Sequence, residues 1–165
     1  MAGEKILLME DNKDVRENVV DFLEFGEYTV ISAVDGNDGL EKVMQGFTPD
    51  VIVSDIEMPG LNGPGAYRKI KEHYAAKNQS APPVVFMTGL LIDHPDGFSV
   101  SGVQETLNDI YNAGPVGAIK KPFELDHLFA ALEYASRTRD FPPTPLKPQG
   151  PSQPYAAPGQ SQPPQ

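Results

Sequence analysis

Short apolar runs alternate with helix-like patterns along most of the chain. Five runs are rich in β-branched and other apolar residues, and they occupy positions 6–9, 28–33, 51–54, 84–87 and 116–119. The first and fourth are uninterrupted, which is typical of strands buried on both faces of a sheet. Segments whose apolar residues recur every three or four positions follow the runs, after an irregular stretch in the case of the fourth. The pattern predicts five strands that alternate with helices.

The predicted helices carry recognisable end signals. Val19 and Leu23 lie on one side of a first helix that should stop at Gly26. Asp35 is placed to cap a short second helix, and Pro64 suits the first turn of a third. Two further helices are predicted over residues 103–112 and around residues 125–132.

This order of elements predicts an α/β fold. Parallel strands need crossover connections, and right-handed crossovers place helices on both faces of the sheet. We therefore expect a doubly wound, five-stranded parallel sheet with helices on both faces. In such a fold the functional crevice lies at the carboxyl ends of the strands, near the point where the strand order reverses.

Proline is concentrated at the end of the chain. Residues 141–165 hold 9 of the 17 prolines and one charged residue, Lys147. Such a segment has little apolar surface to bury, and each proline lacks a backbone donor. We expect residues 1–138 to form the folded domain and residues 139–165 to be a disordered Pro/Gln-rich tail or linker. No DNA-binding output domain is expected in this chain.

Composition and charge exclude several classes of function. The chain has no Cys, so disulfides, Cys-ligated metal centres and thiol chemistry are excluded. The formal net charge of −10 argues against direct binding of nucleic acid. No apolar run approaches the roughly 20 residues of a membrane helix, and the short N-terminal segment is unlike a secretory signal. These features predict a cytoplasmic protein without a membrane partner.

Three acidic residues directly follow predicted strands. Glu10 and Asp11 come after the first strand, and Asp55 comes after the third. The carboxyl ends of parallel strands meet at one edge of a sheet, so we expect the three side chains to converge. Packed carboxylates raise one another's pKa unless a cation intervenes, and Mg²⁺ takes oxygen ligands. Taken singly, each acid could be a solvated loop residue; together they predict a divalent metal site.

A hydroxyl and an ammonium group are expected at the same edge. Thr88 ends the fourth predicted strand, and Lys121 follows the fifth. Taken singly, Thr88 fits an ordinary strand end and Lys121 a solvated charge. With the acids, however, they suit phosphoryl chemistry, because cations and hydrogen-bond donors neutralise phosphoryl oxygens. A carboxylate can itself be the nucleophile, and Asp55 is the candidate because its strand is central.

The motifs at the strand ends resemble those of the receiver domain of bacterial two-component response regulators, the CheY-like family. They are Glu10-Asp11-Asn12, Asp55-Ile56-Glu57-Met58-Pro59-Gly60, Met87-Thr88-Gly89 and Lys121-Pro122-Phe123. Each motif alone is weak, but all of them occur in order, and the similarity spans residues 4–137. The resemblance implies a flavodoxin-like fold of the CheY type.

The resemblance also implies a phosphoacceptor and its metal ion. Asp55 would accept a phosphoryl group from a sensor histidine kinase or a phosphotransfer protein. Mg²⁺ would be held by the side chains of Glu10, Asp11 and Asp55 and by the backbone carbonyl of Glu57. The chain would not be an enzyme, beyond self-catalysed phosphoryl acceptance and slow autodephosphorylation.

The output implied by the resemblance is a conformational switch. Lys121 would pair with the phosphoryl group or with Asp55, and Thr88 would move toward the phosphate. The change would reshape a surface that binds a downstream protein target. A homodimer through the face of the predicted fourth helix (103–112) and the fifth strand is a further expectation.

Two departures from the family pattern bear on this output. Ala118 stands where receivers usually carry an aromatic residue that turns inward when the threonine moves. Thr88 and Lys121 are 33 positions apart, more than in typical members. The surplus falls between residues 90 and 101, where it could be functional or a tolerated surface insertion.

Two other classes of function remain at this point. A degenerate receiver would bind proteins without being phosphorylated. The complete set of acids, Thr88 and Lys121 argues against it, while Ala118 and the enlarged loop at 90–101 keep it open. An enzyme or electron carrier of the same architecture is disfavoured. The acidic segment 10–14 would repel a flavin phosphate, and Glu57 stands where a phosphatase of this type has a second aspartate.

Overall fold

The structure is a computed structural model that describes residues 3–88, 116–121 and 123–138. The predicted helix over 103–112, the segment 90–101 and the Pro/Gln-rich tail lie outside the described residues. In the described ranges no helix is long and apolar enough to cross a membrane.

In residues 5–88 strands and helices alternate as the apolar pattern predicts, and a fifth strand and a further helix are described within residues 116–138. The described strands are β1 (Lys5–Met9), β2 (Thr29–Ala33), β3 (Val51–Asp55), β4 (Val84–Thr88) and β5 (Val116–Lys120). The described helices are α1 (Lys13–Phe25), α2 (Gly36–Met44), α3 (Gly63–Ala75) and α4 (Leu125–Thr138). The α4 helix is the one predicted around residues 125–132.

The strands form one parallel sheet in the order β2-β1-β3-β4-β5. β1 pairs with β2 on one side and with β3 on the other, so the strand order reverses at β1. The crevice expected at a reversal point therefore lies where β1 and β3 end. The predicted α/β fold, with helices packed against a parallel sheet, is confirmed.

Two apolar cores cover the two faces of this sheet. On one face, Leu7 and Ile52 of the central strands pack against side chains of α2 and α3, such as Val43 and Ile70. On the other face, Leu8, Val53 and Val85 pack with residues of α1 and α4 that include Leu23 and Leu132. Because β1 and β3 are buried from both sides, their ends are held rigidly, and so are the residues that follow them.

Side-chain caps fix the entry of the chain into three helices. Asn12 Oδ1 accepts a hydrogen bond from the Val15 N–H at 3.1 Å, and Asp35 Oδ1 accepts one from the Asp38 N–H at 2.7 Å. Asn62 caps α3 in the same way. The predicted cap by Asp35 is confirmed. These caps define short connections between strand and helix, and two of them border the acidic residues.

Candidate functional site

The three acidic residues that follow β1 and β3 meet at one point. Glu10 and Asp11 come directly after β1, and Asp55 is the last residue of β3. The two strands are paired, with Met9 opposite Ser54. One carboxylate oxygen from each of the three acids lies within 4.8 Å of the other two. This acidic cluster of Glu10, Asp11 and Asp55 offers oxygen ligands at a spacing that could hold a metal ion.

Glu10 is the buried member of the acidic cluster. Its side chain is 1% exposed, and both of its oxygens accept hydrogen bonds. The Asn12 N–H donates to Oε1 at 3.0 Å, and the Lys121 ammonium donates to Oε2 at 2.7 Å. Charged donors offset much of the cost of removing a carboxylate from water. Glu10 is thus held in one position by the turn that follows it and by the ammonium of a lysine that is distant in the sequence.

Lys121 brings a positive charge to the site from the end of β5, an edge strand of the sheet. It directly follows β5, and β4 lies between β5 and β3. Its Nζ lies 2.7 Å from Glu10 Oε2 and 3.4 Å from Asp55 Oδ2, so the side chain reaches over the end of β4. The ammonium therefore sits between two carboxylates, where it reduces their mutual repulsion.

Asp55 titrates at an unusually high pH for an aspartate. Burial raises its pKa to about 6, and the negative charge of Glu10 raises it as well. Lys121 and the backbone N–H of Ile56 lower the pKa, but they do not cancel these effects. The site thus carries more negative charge than its own cation neutralises. An added divalent cation would relieve this repulsion.

Asp55→Asn should stabilise the metal-free protein at neutral pH. A carboxyl whose pKa is raised on folding, from 3.8 to about 6, adds stability at low pH and loses it as the pH rises through that range. At pH 7.5 with a chelator present, the variant should be more stable than the wild type by about 2 kcal/mol. Urea unfolding at several pH values measures the difference. It should shrink steadily toward pH 4, and a constant difference would contradict the high pKa.

The connection from β3 to α3 is closed by its own hydrogen bonds. The Ser54 hydroxyl donates to the carbonyl oxygen of Asp55 at 2.8 Å, and the Gly63 N–H donates to the carbonyl oxygen of Ile56 at 2.9 Å. Ile56 and Met58 are buried in the core against α2 and α3, while the Glu57 side chain between them is exposed. The backbone of Glu57 is therefore held from both sides, beside Asp55.

The pairing of β4 with β5 gives the positions of Thr88 and Ala118. Thr88 is the last residue of β4 and lies opposite Lys120 of β5 in register, so it ends at the same edge as the acidic cluster. Ala118 lies opposite Phe86, inside the β4–β5 pair. Of the predicted side chains, the structure brings Glu10, Asp11, Asp55 and Lys121 together.

Three residues that support the site were not identified from the sequence. Asn12 caps α1 and also fixes the Glu10 carboxylate, and an Asn just before a helical pattern was a signal for this. Arg16 donates to backbone carbonyls of the acidic turn, and Ser54 donates to that of Asp55. Neither had a sequence signal, because side-chain contacts to backbone depend on the local path of the chain.

Sequence comparison assigns most of the chain to one family. The response regulator receiver domain family matches residues 6–133. The chain is 29% identical over 130 residues to the transcriptional regulatory protein CrdR of Helicobacter pylori, and 28% identical over 133 residues to DltR of Streptococcus agalactiae. These matches cover 78% and 81% of this chain and 53% and 52% of the relatives. The chain thus spans about half the length of the curated relatives it matches.

Solved structures show the same fold. The chemotaxis protein CheY4 of Vibrio cholerae superposes with a TM-score of 0.63 at 25% identity, covering 81% of this chain and 99% of that one. The N-terminal domain of a response regulator/sensory box/GGDEF protein from Carboxydothermus hydrogenoformans gives a TM-score of 0.64 at 29% identity. That match covers 81% of this chain and 94% of that one.

Proposed function

This chain belongs to the family of response regulator receiver domains, and we propose that it accepts a phosphoryl group on Asp55 in a Mg²⁺-dependent reaction that switches a protein-interaction surface. The CheY-like resemblance of its sequence motifs is thereby confirmed at the level of the family. The single observation that carries the proposal is the meeting of three carboxylates and one ammonium at the reversal point of the sheet.

The donor set fits a magnesium ion. The side chains of Glu10, Asp11 and Asp55 and the backbone carbonyl of Glu57 would hold it, because a hard cation takes oxygen ligands and few carboxylates. The resemblance assigns Glu10 a contact through a water molecule, and both of its oxygens accept hydrogen bonds from Asn12 and Lys121. When bound, the ion supplies positive charge that neutralises oxygens of the transferred phosphoryl group.

Asp55 is suited to be the nucleophile. It is the acid at the end of a central strand, and one oxygen of its carboxylate lies 3.4 Å from the Lys121 ammonium. One Asp55 oxygen forms the new bond to phosphorus while the bond from phosphorus to the leaving group breaks. The leaving group keeps the electron pair: acetate from acetyl phosphate, or the ring nitrogen from a phosphohistidine.

Lys121 is placed to respond to the added phosphoryl group. Its ammonium already lies 3.4 Å from Asp55, and a phosphoryl group brings about 1.5 to 2 further negative charges to that side chain. The ammonium can exchange its closer partner, Glu10, for a phosphoryl oxygen. The resemblance assigns the second contact to Thr88, which would transmit the change along β4.

The partners follow from the family. Response regulator receiver domains interact with histidine kinases or phosphotransfer proteins, and one of these would phosphorylate Asp55 in the cytoplasm. The output would be a downstream protein target, or a homodimer through the face of β5 and the predicted helix 103–112. The domain would process no free substrate beyond its own phosphodonor and its own slow dephosphorylation.

The decisive experiment is incubation with acetyl phosphate, followed by intact-mass analysis. The wild type should gain the mass of one phosphoryl group with Mg²⁺ and should gain none with a chelator. Asp55→Ala should gain none under either condition. Asp14→Ala, which removes an acidic side chain from the first turn of α1, should behave like the wild type and serves as the control.

Two other outcomes of this experiment would contradict phosphorylation at Asp55. A folded wild type that gains no mass with acetyl phosphate and Mg²⁺ would contradict the proposal and favour the degenerate receiver. A gain that persists in Asp55→Ala would place the phosphoryl group on another residue. A mass gain confined to proteins that retain Asp55 supports phosphorylation at that residue.

A further inference from the structure

Arg16 is the fourth residue of α1, and its side chain contacts the turn that carries Glu10 and Asp11. Its Nη1 donates to the backbone carbonyl oxygen of Glu10 at 2.8 Å and approaches that of Asp11 at 3.4 Å. These are the two residues whose side chains belong to the acidic cluster. One guanidinium nitrogen therefore contacts the backbone carbonyls of both adjacent acids.

Several hydrogen bonds hold the turn between β1 and α1. The Asn12 N–H donates to Glu10 Oε1, and Asn12 Oδ1 accepts from the N–H of Val15. The Arg16 N–H then donates to the carbonyl oxygen of Asn12 at 2.9 Å, while its side chain bends back to the carbonyls before it. Besides Asn12, the guanidinium thus connects the helix to the backbone of the residues that bear the carboxylates.

We propose that Arg16 is a positioning residue for the divalent-cation site: by holding the carbonyls of Glu10 and Asp11, it fixes their carboxylates and thereby tightens Mg²⁺ binding. The inference rests on the proposed function, because it assumes that the acidic cluster is where the metal binds. It goes beyond that function by assigning a determinant of affinity to a residue that does not contact the ion. Groups that orient metal ligands commonly affect affinity strongly.

The charge of Arg16 acts in the opposite direction. A cation close to the acidic cluster repels a second cation, so the guanidinium should weaken Mg²⁺ binding if charge were its only effect. Asp38 at the start of α2 partly offsets this charge: Lys42 lowers the pKa of Asp38 most, and Arg16 lowers it further. Loss of positioning and loss of charge therefore predict opposite changes in affinity, and this makes the inference testable.

Isothermal titration with Mg²⁺ separates the two effects. Arg16→Met removes the charge and both hydrogen bonds while keeping an unbranched side chain, and we expect Mg²⁺ to bind about tenfold more weakly. The matched control is Lys13→Met, which removes one charge from the same helix at a side chain that is 73% exposed. This control should bind Mg²⁺ as tightly as the wild type or slightly more tightly.

A second readout reports positioning without metal. The Asn12 N–H donates to the Glu10 carboxylate, so its hydrogen exchange measures how firmly that carboxylate is held. In Arg16→Met, exchange at Asn12 should speed up in the presence of a chelator, while core amides of β3 stay protected. If Arg16→Met does not fold, Arg16→Lys replaces it. This variant keeps the charge but lacks the planar guanidinium, and its affinity for Mg²⁺ should fall about threefold.

The results separate this inference from the function on which it rests. A wild type that fails to bind Mg²⁺ would overturn the proposed function, and this inference with it. A wild type that binds Mg²⁺, together with a folded Arg16→Met that binds equally or more tightly, would overturn the inference alone. Weaker binding by Arg16→Met but not by Lys13→Met supports it.

Discussion

Lys121→Ala should lower the free energy of unfolding by about 3 kcal/mol at pH 7.5 without metal, because it leaves the Glu10 carboxylate buried without its cation. Glu10 is 1% exposed, and Lys121 supplies the only charged donor among its described hydrogen bonds. Asp55 loses the same cation at 3.4 Å. Among the described residues, no other cationic side chain pairs with these three carboxylates, so their repulsion would no longer be offset.

The size of this loss should depend on pH. Lys121 lowers the pKa of Asp55, so its removal lets that pKa rise further above the ordinary value. A carboxyl with a raised folded-state pKa contributes stability at low pH that disappears as the pH rises. The cost of Lys121→Ala should therefore be smaller at pH 5 than at pH 7.5, and added Mg²⁺ should also reduce it at pH 7.5.

Urea unfolding of matched variants measures these effects. Lys13→Ala removes a lysine whose partner, Glu17, lies at 3.8 Å on an exposed helix face, and it should cost less than about 1 kcal/mol. Lys121→Arg keeps the charge and should recover much of the lost stability. A loss below about 1 kcal/mol for Lys121→Ala at pH 7.5 would show that Glu10 does not depend on this ammonium.

The fold could be predicted because the apolar pattern reflects burial on both faces of a parallel sheet. The runs at 6–9, 51–54 and 84–87 lie in β1, β3 and β4, and the side chains of these runs are buried. The reversal of strand order then determines which strand ends meet. This is why the convergence of Glu10, Asp11 and Asp55 could be expected from a sequence in which they are up to 45 positions apart.

The hydrogen bonds and ion pairs that hold the site residues in place could not be predicted in the same way. The closest partner of Lys121 is Glu10, 111 positions away, although the family resemblance pointed to Asp55. Which of two neighbouring carboxylates receives an ammonium depends on differences of less than 1 Å, and apolar periodicity carries no such information. The contacts of Arg16 and Ser54 to backbone carbonyls likewise depend on the local path of the turns.

Gly63 is the first residue of α3, and its backbone packs against that of Asp55 at the end of β3. Its N–H donates to the carbonyl oxygen of Ile56 at 2.9 Å. A Cβ at this position would overlap the carbonyl oxygen of Asp55 and would lie 2.8 Å from the Ser54 hydroxyl oxygen. The backbone of α3 therefore approaches that of Asp55 so closely that only a residue without a side chain fits.

Gly63→Ala should destabilise the protein by about 3 kcal/mol and should weaken Mg²⁺ binding as well. The methyl group meets a backbone carbonyl at the end of a buried strand, which a side-chain rotation cannot relieve, so α3 or Asp55 itself must shift. Urea unfolding measures the first effect, and Mg²⁺ titration of the folded variant measures the second.

Gly65→Ala, two residues further along α3, is the matched control. The atoms nearest to its Cβ would be side-chain atoms, of Asn62 at 2.9 Å and of Leu61 at 3.0 Å, which shift more readily than a backbone carbonyl. It should cost about 1 kcal/mol, because a shift of Asn62 weakens the cap of α3 while alanine favours the helix over glycine. Equal losses from the two variants would mean that the close approach of Gly63 to Asp55 is not what constrains this connection. A larger loss from Gly63→Ala, accompanied by weaker Mg²⁺ binding, would tie the packing of α3 to the geometry of the acidic cluster.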